Sequence, residues 1–244
     1  MKNILLLSVW SSPASTAYLK ELLKIPGLRI QVVYEKNEKI SANISRIYQE
    51  RFGERAPVFE PAENILPAGA PAPLFVENLQ GPETLETISK LKPDWMLLGG
   101  SGIIKEALLK IPAEGTLNCH PGLLPRYRGC TCVEWALYED EPVGATCHFV
   151  TPEIDAGDIV RKEIMSVYRG RSYKDLRLEM FYFCASLMAK SLGLLVNPPA
   201  GKPVELEKFD WAQARYYKPI PEDAMAQVLK KIEAGTYRHL CEPS

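Results

Sequence analysis

Short apolar runs of strand length alternate along this chain with segments of helical pattern, and that alternation limits the architectures open to it. Ile4-Leu5-Leu6-Leu7-Ser8-Val9 comes first, inside a strand expected over 3–9, and further strands are expected over 29–34, 95–99, 116–120 and 142–150. Helices are expected between and after them, over 15–24, 44–52, 82–91, 105–111, 131–139, 173–195 and 223–233. Strands that alternate with helices pair in parallel, and a sheet covered on both faces carries continuously apolar strands. The expected fold class is therefore α/β: a mostly parallel, Rossmann-like sheet with helices on both faces and ligands at the carboxyl ends of its strands. No Gly-x-Gly-x-x-Gly follows the first strand, so the dinucleotide fingerprint is missing.

At 244 residues, 46% hydrophobic and 24% charged, the chain suits one large domain with an appendage. The break is expected at Asn197-Pro198-Pro199-Ala200-Gly201, giving a domain over 1–197 and a small C-terminal appendage over 198–244. That appendage packs on the domain or on a second copy, as in a homodimer. The proline-rich segment 57–73 reads as an extended surface excursion, because the order of helices and strands resumes behind it. A net charge of −1 with no Lys/Arg block offers no field for nucleic acid. The first apolar run is too short for a secretory leader, and no other apolar stretch is expected to reach membrane-span length, so a cytoplasmic protein without a membrane partner is expected.

Six cysteines in that setting imply reduced thiols. Cys119, His120, Cys130, Cys132, Cys147 and His148 crowd together, but only one residue separates Cys130 from Cys132, and adjacent Cys147 and His148 point to opposite faces of a strand. No metal is expected.

Chemistry concentrates in 116–159. Asn118 and His120 stand two apart at the end of a strand and so project from one face, and Pro121, Gly122 and Pro125 then open a loop where side chains reach solvent. The strand over 142–150 turns the chain back toward them and delivers Asp155 in Ile154-Asp155-Ala156-Gly157-Asp158. An amide, an imidazole and a carboxylate together make an acid/base and oxyanion-stabilising set.

Asn118-x-His120-Pro121-Gly122-Leu123-Leu124-Pro125-Arg126-Tyr127-Arg128-Gly129, then Gly144-x-Thr146-x-His148, then Asp155-x-Gly157-Asp158-Ile159, resembles the folate-dependent formyltransferases. Members of that family act on glycinamide ribonucleotide, methionyl-tRNA or amino sugars. The resemblance implies that His120 shuttles a proton from an attacking amine, that Asn118 donates its amide N–H to the oxyanion of the tetrahedral intermediate, and that Asp155 orients His120 or a bridging water. It implies 10-formyltetrahydrofolate as formyl donor, with the pterin held by Gly102, Ile103 and Ile104 on one side and by the loop 151–154, including Thr151 and Ile154, on the other. His148 reads as structural, and Asp158 as an exposed turn carboxylate or a functional one.

For the acceptor, a small-molecule primary amine, two absences bear on the choice. Ser8-Val9-Trp10-Ser11-Ser12-Pro13 lacks the glycines that hold a phosphate in glycinamide ribonucleotide enzymes, and the tail is too short for the RNA-binding domain of methionyl-tRNA enzymes. The resemblance then favours a nucleotide-linked amino sugar, with glycinamide ribonucleotide as the alternative and a non-catalytic folate- or nucleotide-binding protein as the reading from another class. Trp10, Ser11, Ser12, Arg126, Tyr217 and Lys218 are the expected substrate contacts.

Overall fold

A computed structural model of the chain describes residues 1–199 and 202–242; the last two residues of the 197–201 phrase and the last two of the chain lie outside the described residues. The first half runs β1 (Lys2–Val9), α1 (Pro13–Leu22), β2 (Leu28–Glu35), α2 (Glu38–Phe52), α3 (Ala62–Ile65), β3 (Leu74–Val76), α4 (Pro82–Lys90), β4 (Trp95–Leu98) and α5 (Glu106–Leu109). The second half runs β5 (Gly115–His120), β6 (Arg128–Gly129), α6 (Cys132–Tyr138), β7 (Gly144–Phe149), β8 (Ile159–Ile164), β9 (Val167–Tyr168), α7 (Tyr173–Val196), β10 (Tyr216–Tyr217), α8 (Glu222–Glu233) and β11 (Leu240–Cys241). Seven strands form one sheet in the order β3-β2-β1-β4-β5-β7-β8. The first five are parallel, and β7 and β8 are antiparallel to their neighbours.

The apolar run of β1 explains the layering. Ile4 and Leu6 point into a core shared with α1, α6 and α7, whereas Leu5 and Leu7 point into a second core with Ile88 of α4, Met96 of β4 and Leu108 of α5. A period of two thus serves both faces of one strand, which is why no polar residue interrupts it before Ser8. Connections run outward from β1 to β2 and β3 on one side and from β4 to β5 on the other, so the order reverses between β1 and β4. The carboxyl ends at such a reversal splay apart and leave a crevice.

Several elements differ from the sequence reading. β3 and β8 are additional strands, and β8 is an edge strand whose exposed Arg161 and Lys162 mask its period. α2 begins at Glu38, several residues before the expected start, because the Asn37 side chain accepts from the N–H groups of Lys39 and Ile40. The length expectation also needs correction at α7, which is long and apolar enough to cross a membrane by length and composition. Here it is a core helix: Leu176, Met180, Leu187, Met188 and Leu192 are buried, and it packs on α1, α2, β5 and β7.

The tail is tied to the body of the same chain. β10 pairs in parallel with β6, β11 with β9, and Ile159 and Glu207 exchange backbone hydrogen bonds of 2.8 and 3.0 Å.

Candidate active site

Register puts the polar cluster together. Asn118 stands opposite His148 and His120 opposite Thr146 across the antiparallel β5–β7 pair, so the two histidines come from adjacent strands. A register shift in the β7–β8 pairing at Cys147 and His148 marks a bulge beside the site. The loop leaving β7 is pinned at both ends, by Val150 N–H to Thr116 O (2.8 Å) and by Phe149 N–H to Asp158 O (2.9 Å). Between those pins Asp155 adopts a left-handed φ of 48°, a conformation that Asp tolerates better than most residues. Gly157 is required there: a Cβ would lie 1.9 Å from the Phe149 carbonyl oxygen.

Asp155 is the hub of the cluster. Its Oδ2 accepts the Gly129 N–H at 3.0 Å and lies 3.4 Å from His120 Nδ1, while Oδ1 lies 3.7 Å from His148 Nε2. His120 Nε2 is 2.8 Å from the Tyr127 carbonyl oxygen. A carbonyl can only accept, so Nε2 carries the hydrogen and Nδ1 is the position left to gain or lose a proton, facing the carboxylate. Gly122 leaves room for this bond, since a Cβ there would lie 2.7 Å from Nε2 and 2.8 Å from Tyr127 O.

His148 works in the opposite sense. Its Nδ1 donates to Phe149 O at 2.8 Å, which leaves Nε2 bare to accept from the Asn118 amide at 3.5 Å. Burial pushes its imidazole down to about 4, against a pull upward from Asp155, and the positive charge His120 can carry lowers it further. His148 therefore stays neutral and fixes which way the Asn118 amide points, and among the described residues the second Asn118 N–H has no acceptor. It is structural in the sense that it orients a neighbour.

Two clefts open on either side of Asn118. One, of about 310 Å³, is lined by Gly102, Ile103, Ile104, Thr151 and Ile154 together with Asn118, His148 and Asp155. Every residue expected to hold a pterin thus faces one space. Ile103 and Ile154 are 76% and 41% exposed there, an unusual placement for isoleucine and one suited to a flat heteroaromatic ring. The other, of about 220 Å³, lies at the β1–β4 reversal and is lined by Ala14, Tyr48, Arg51, Gly100, Cys119 and Arg177, among others. Asn118, Leu98 and Ser101 line both clefts. Among the described residues, the Ser101 hydroxyl between them is buried without a hydrogen-bond partner. His120, buried, lines neither wall; Asp155, which it faces, lines the first.

The expected substrate contacts do not gather at this cluster. Trp10 packs edge-on against Tyr34, Phe59 and Phe75 with centroids 4.9–5.2 Å away. Ser12 is buried at the start of α1, where Ser15 Oγ donates to its carbonyl at 2.8 Å, and Ser11 precedes it with a φ of 69°. Arg126 is engaged by Glu139 and Glu141 at 3.3 and 2.9 Å, Tyr217 donates to Glu139 at 2.9 Å, and the Lys218 carbonyl accepts from Trp135 at 2.8 Å. Asp158 pairs with Lys208 of the tail at 2.6 Å.

Arg51, Arg177, Tyr48 and Ser101 are the cleft residues that sequence reasoning missed. Only Arg177 carried a signal, as a cation within an apolar helix.

A Rossmann-like sheet that sets Asn118 on the wall between two clefts, with Asp155 on the first and the buried His120 behind it, has the layout of a group-transfer site. A family profile described as formyl transferase matches residues 29–181, more than half of the chain, and the chain belongs to that family. Among curated relatives, the bifunctional polymyxin resistance protein ArnA of Wigglesworthia glossinidia brevipalpis is 29% identical over 153 residues, covering 62% of this chain and 23% of that protein. The methionyl-tRNA formyltransferase of Alkaliphilus oremlandii is 26% identical over 184 residues, covering 72% of this chain and 54% of that protein. The chain thus spans about half or less of the length of these relatives. Among solved structures, a sugar N-formyltransferase from Shewanella superposes with a TM-score of 0.61 at 16% identity, over 90% of this chain and 77% of that one. Glycinamide ribonucleotide transformylase 1 from Symbiobacterium toebii gives 0.60 at 21% identity, over 86% and 95%. These two likenesses concern the fold.

Proposed function

We propose that the chain transfers a formyl group from 10-formyltetrahydrofolate to the primary amine of a nucleotide-linked amino sugar. The observation that carries this reading is the position of Asn118, on the common wall of two clefts and beside the His120–Asp155 pair. In this reading the first cleft receives the donor and the second the amine. The donor supplies an activated formyl carbon. The free Asn118 N–H meets the charge that develops on the formyl oxygen as the amine nitrogen attacks, worth roughly 3 kcal/mol of barrier in a dry site.

As the new C–N bond forms, the amine proton passes to His120 Nδ1, directly or through one water, and Asp155 stabilises the imidazolium. The bond from the formyl carbon to the donor nitrogen then breaks, and the proton returns to that nitrogen. His148 holds Asn118 in the donating orientation throughout.

The test is a panel of amines with the full chain and 10-formyltetrahydrofolate, following tetrahydrofolate release and the mass of the product. N-formylation of nucleotide-linked amino sugars is expected, with kcat lowered at least about a hundredfold in His120→Ala and Asp155→Asn. Turnover with glycinamide ribonucleotide alone moves the reading to purine synthesis. Normal folate binding with neither transfer nor hydrolysis identifies a binding protein.

A further inference from the structure

His120 is held by a chain of contacts that starts outside the Asn118–His120–Asp155 trio. Glu139, the residue that ends α6, gives its N–H to Trp135 O at 2.9 Å, so the helix fixes where its carboxylate stands. Oε2 of that carboxylate accepts the Tyr127 hydroxyl at 2.8 Å, and Oε1 accepts the Tyr217 hydroxyl of β10 at 2.9 Å. The two phenol rings stack, with centroids 5.2 Å apart and planes inclined by 20°. Arg126 balances the charge from 3.3 Å. Burial, and next the bond to Glu139, push the Tyr127 hydroxyl above its ordinary value, so it stays a donor. Tyr127 is 2% exposed, and its carbonyl oxygen is the one that takes the His120 Nε2 hydrogen.

A neutral imidazole has one ring hydrogen, and His120 has two acceptors competing for it. Asp155 Oδ2 stands 3.4 Å from Nδ1, and a carboxylate is the stronger acceptor of the two. Only the closer approach of the Tyr127 carbonyl, 2.8 Å against 3.4 Å, keeps the hydrogen on Nε2. If that carbonyl withdraws, the hydrogen moves to Nδ1, and the nitrogen that has to take a proton is already occupied. Among the described residues the Tyr127 hydroxyl bonds to Glu139 alone. A buried hydroxyl without a partner is costly, so removing the carboxylate drives Tyr127 from its seat. Resting on the reading of His120 as proton shuttle, we propose that Glu139 is a positioning residue for the transfer: it seats Tyr127 and, through the Tyr127 carbonyl, sets the His120 tautomer. Glu139 touches no reacting group, and its bond to Tyr217 gives the tail a share in the same clamp.

The test is ring nitrogen-15 NMR of the full chain, which has three histidines to tell apart, recorded above the ordinary imidazole range so that the rings are neutral. Wild type, Glu139→Gln, Glu139→Ala and Tyr127→Phe are compared, with circular dichroism to establish that each is folded. Formylation kinetics follow on the same samples, with 10-formyltetrahydrofolate and the amine that wild type turns over fastest. Wild type is expected to hold His120 with its hydrogen on Nε2. In Glu139→Ala the tautomer ratio should shift about tenfold toward Nδ1, with kcat down about twofold to tenfold and the donor KM unchanged. Tyr127→Phe should shift less in the same direction, and Glu139→Gln, which keeps an acceptor oxygen for Tyr127, should restore the wild-type spectrum. A tautomer unchanged in Glu139→Ala overturns the proposal, and so does a shift that leaves kcat at its wild-type value. The spectrum needs no substrate. Tautomer control by Glu139 with no amine formylated refutes the transfer reading and keeps the clamp; formylation with a tautomer indifferent to Glu139 does the reverse.

Discussion

His148 should make this fold sensitive to acid, and the size of the effect follows from its surroundings. Its ordinary value of 6.5 falls to about 4 in the folded protein, chiefly through burial. Between those values the unfolded chain binds the proton that the folded chain refuses, so acid favours unfolding. Stability is full above the ordinary value and is lost as pH falls through this window, the loss ending near the folded value. From about pH 7 to about pH 5 the loss amounts to about 2 kcal/mol. Urea unfolding of wild type and His148→Gln at both pH values isolates it, because glutamine offers an acceptor to Asn118 and does not titrate. Wild type should lose about 2 kcal/mol more than the variant. Equal losses would mean that the ring is already charged in the folded state, and the orientation argued for Asn118 would fall with it.

Two further perturbations probe the walls of the first cleft. Gly157→Ala drives a Cβ to 1.9 Å from Phe149 O, so the loop must move; urea unfolding should show a loss of about 3 kcal/mol or more, and Asp155 should no longer support His120 in the formylation assay. Arg128 donates to Ile154 O at 3.0 and 2.6 Å and lies 4.9 Å from the Trp211 ring centroid, so Arg128→Ala frees one wall. Folate affinity should fall about tenfold with little change in melting temperature, and unchanged affinity would show that this loop does not hold the donor.

The layering of the sheet was legible because β1 must be apolar on both faces, and the polar trio because a strand end and two glycine turns frame it. What escaped was set by pairing across long separations. β8 reads as polar because it is an edge strand, yet it returns the Asp155 loop to the sheet. Trp10 carries the right chemistry for a stacking contact but meets three other rings first. Arg126 and Tyr217 carry the right groups for a substrate, and both are engaged by Glu139, which neither motif foretells. Arg51 and Arg177 come from helices far apart in the chain, and only the packing of α2 on α7 shows that they share a cavity.

The tail has a consequence for how this protein can change over time. Gly129, at a φ of 93°, gives its N–H to Asp155 while its strand partner is Tyr217 of the tail, and a Cβ there would lie 2.4 Å from Tyr217 O. One backbone position therefore belongs at once to the carboxylate that faces His120 and to the seam that seats the appendage. Such a chain cannot exchange its C-terminal segment as a free cassette. A new tail must reproduce the old one's strand pairing before it can bring any new specificity.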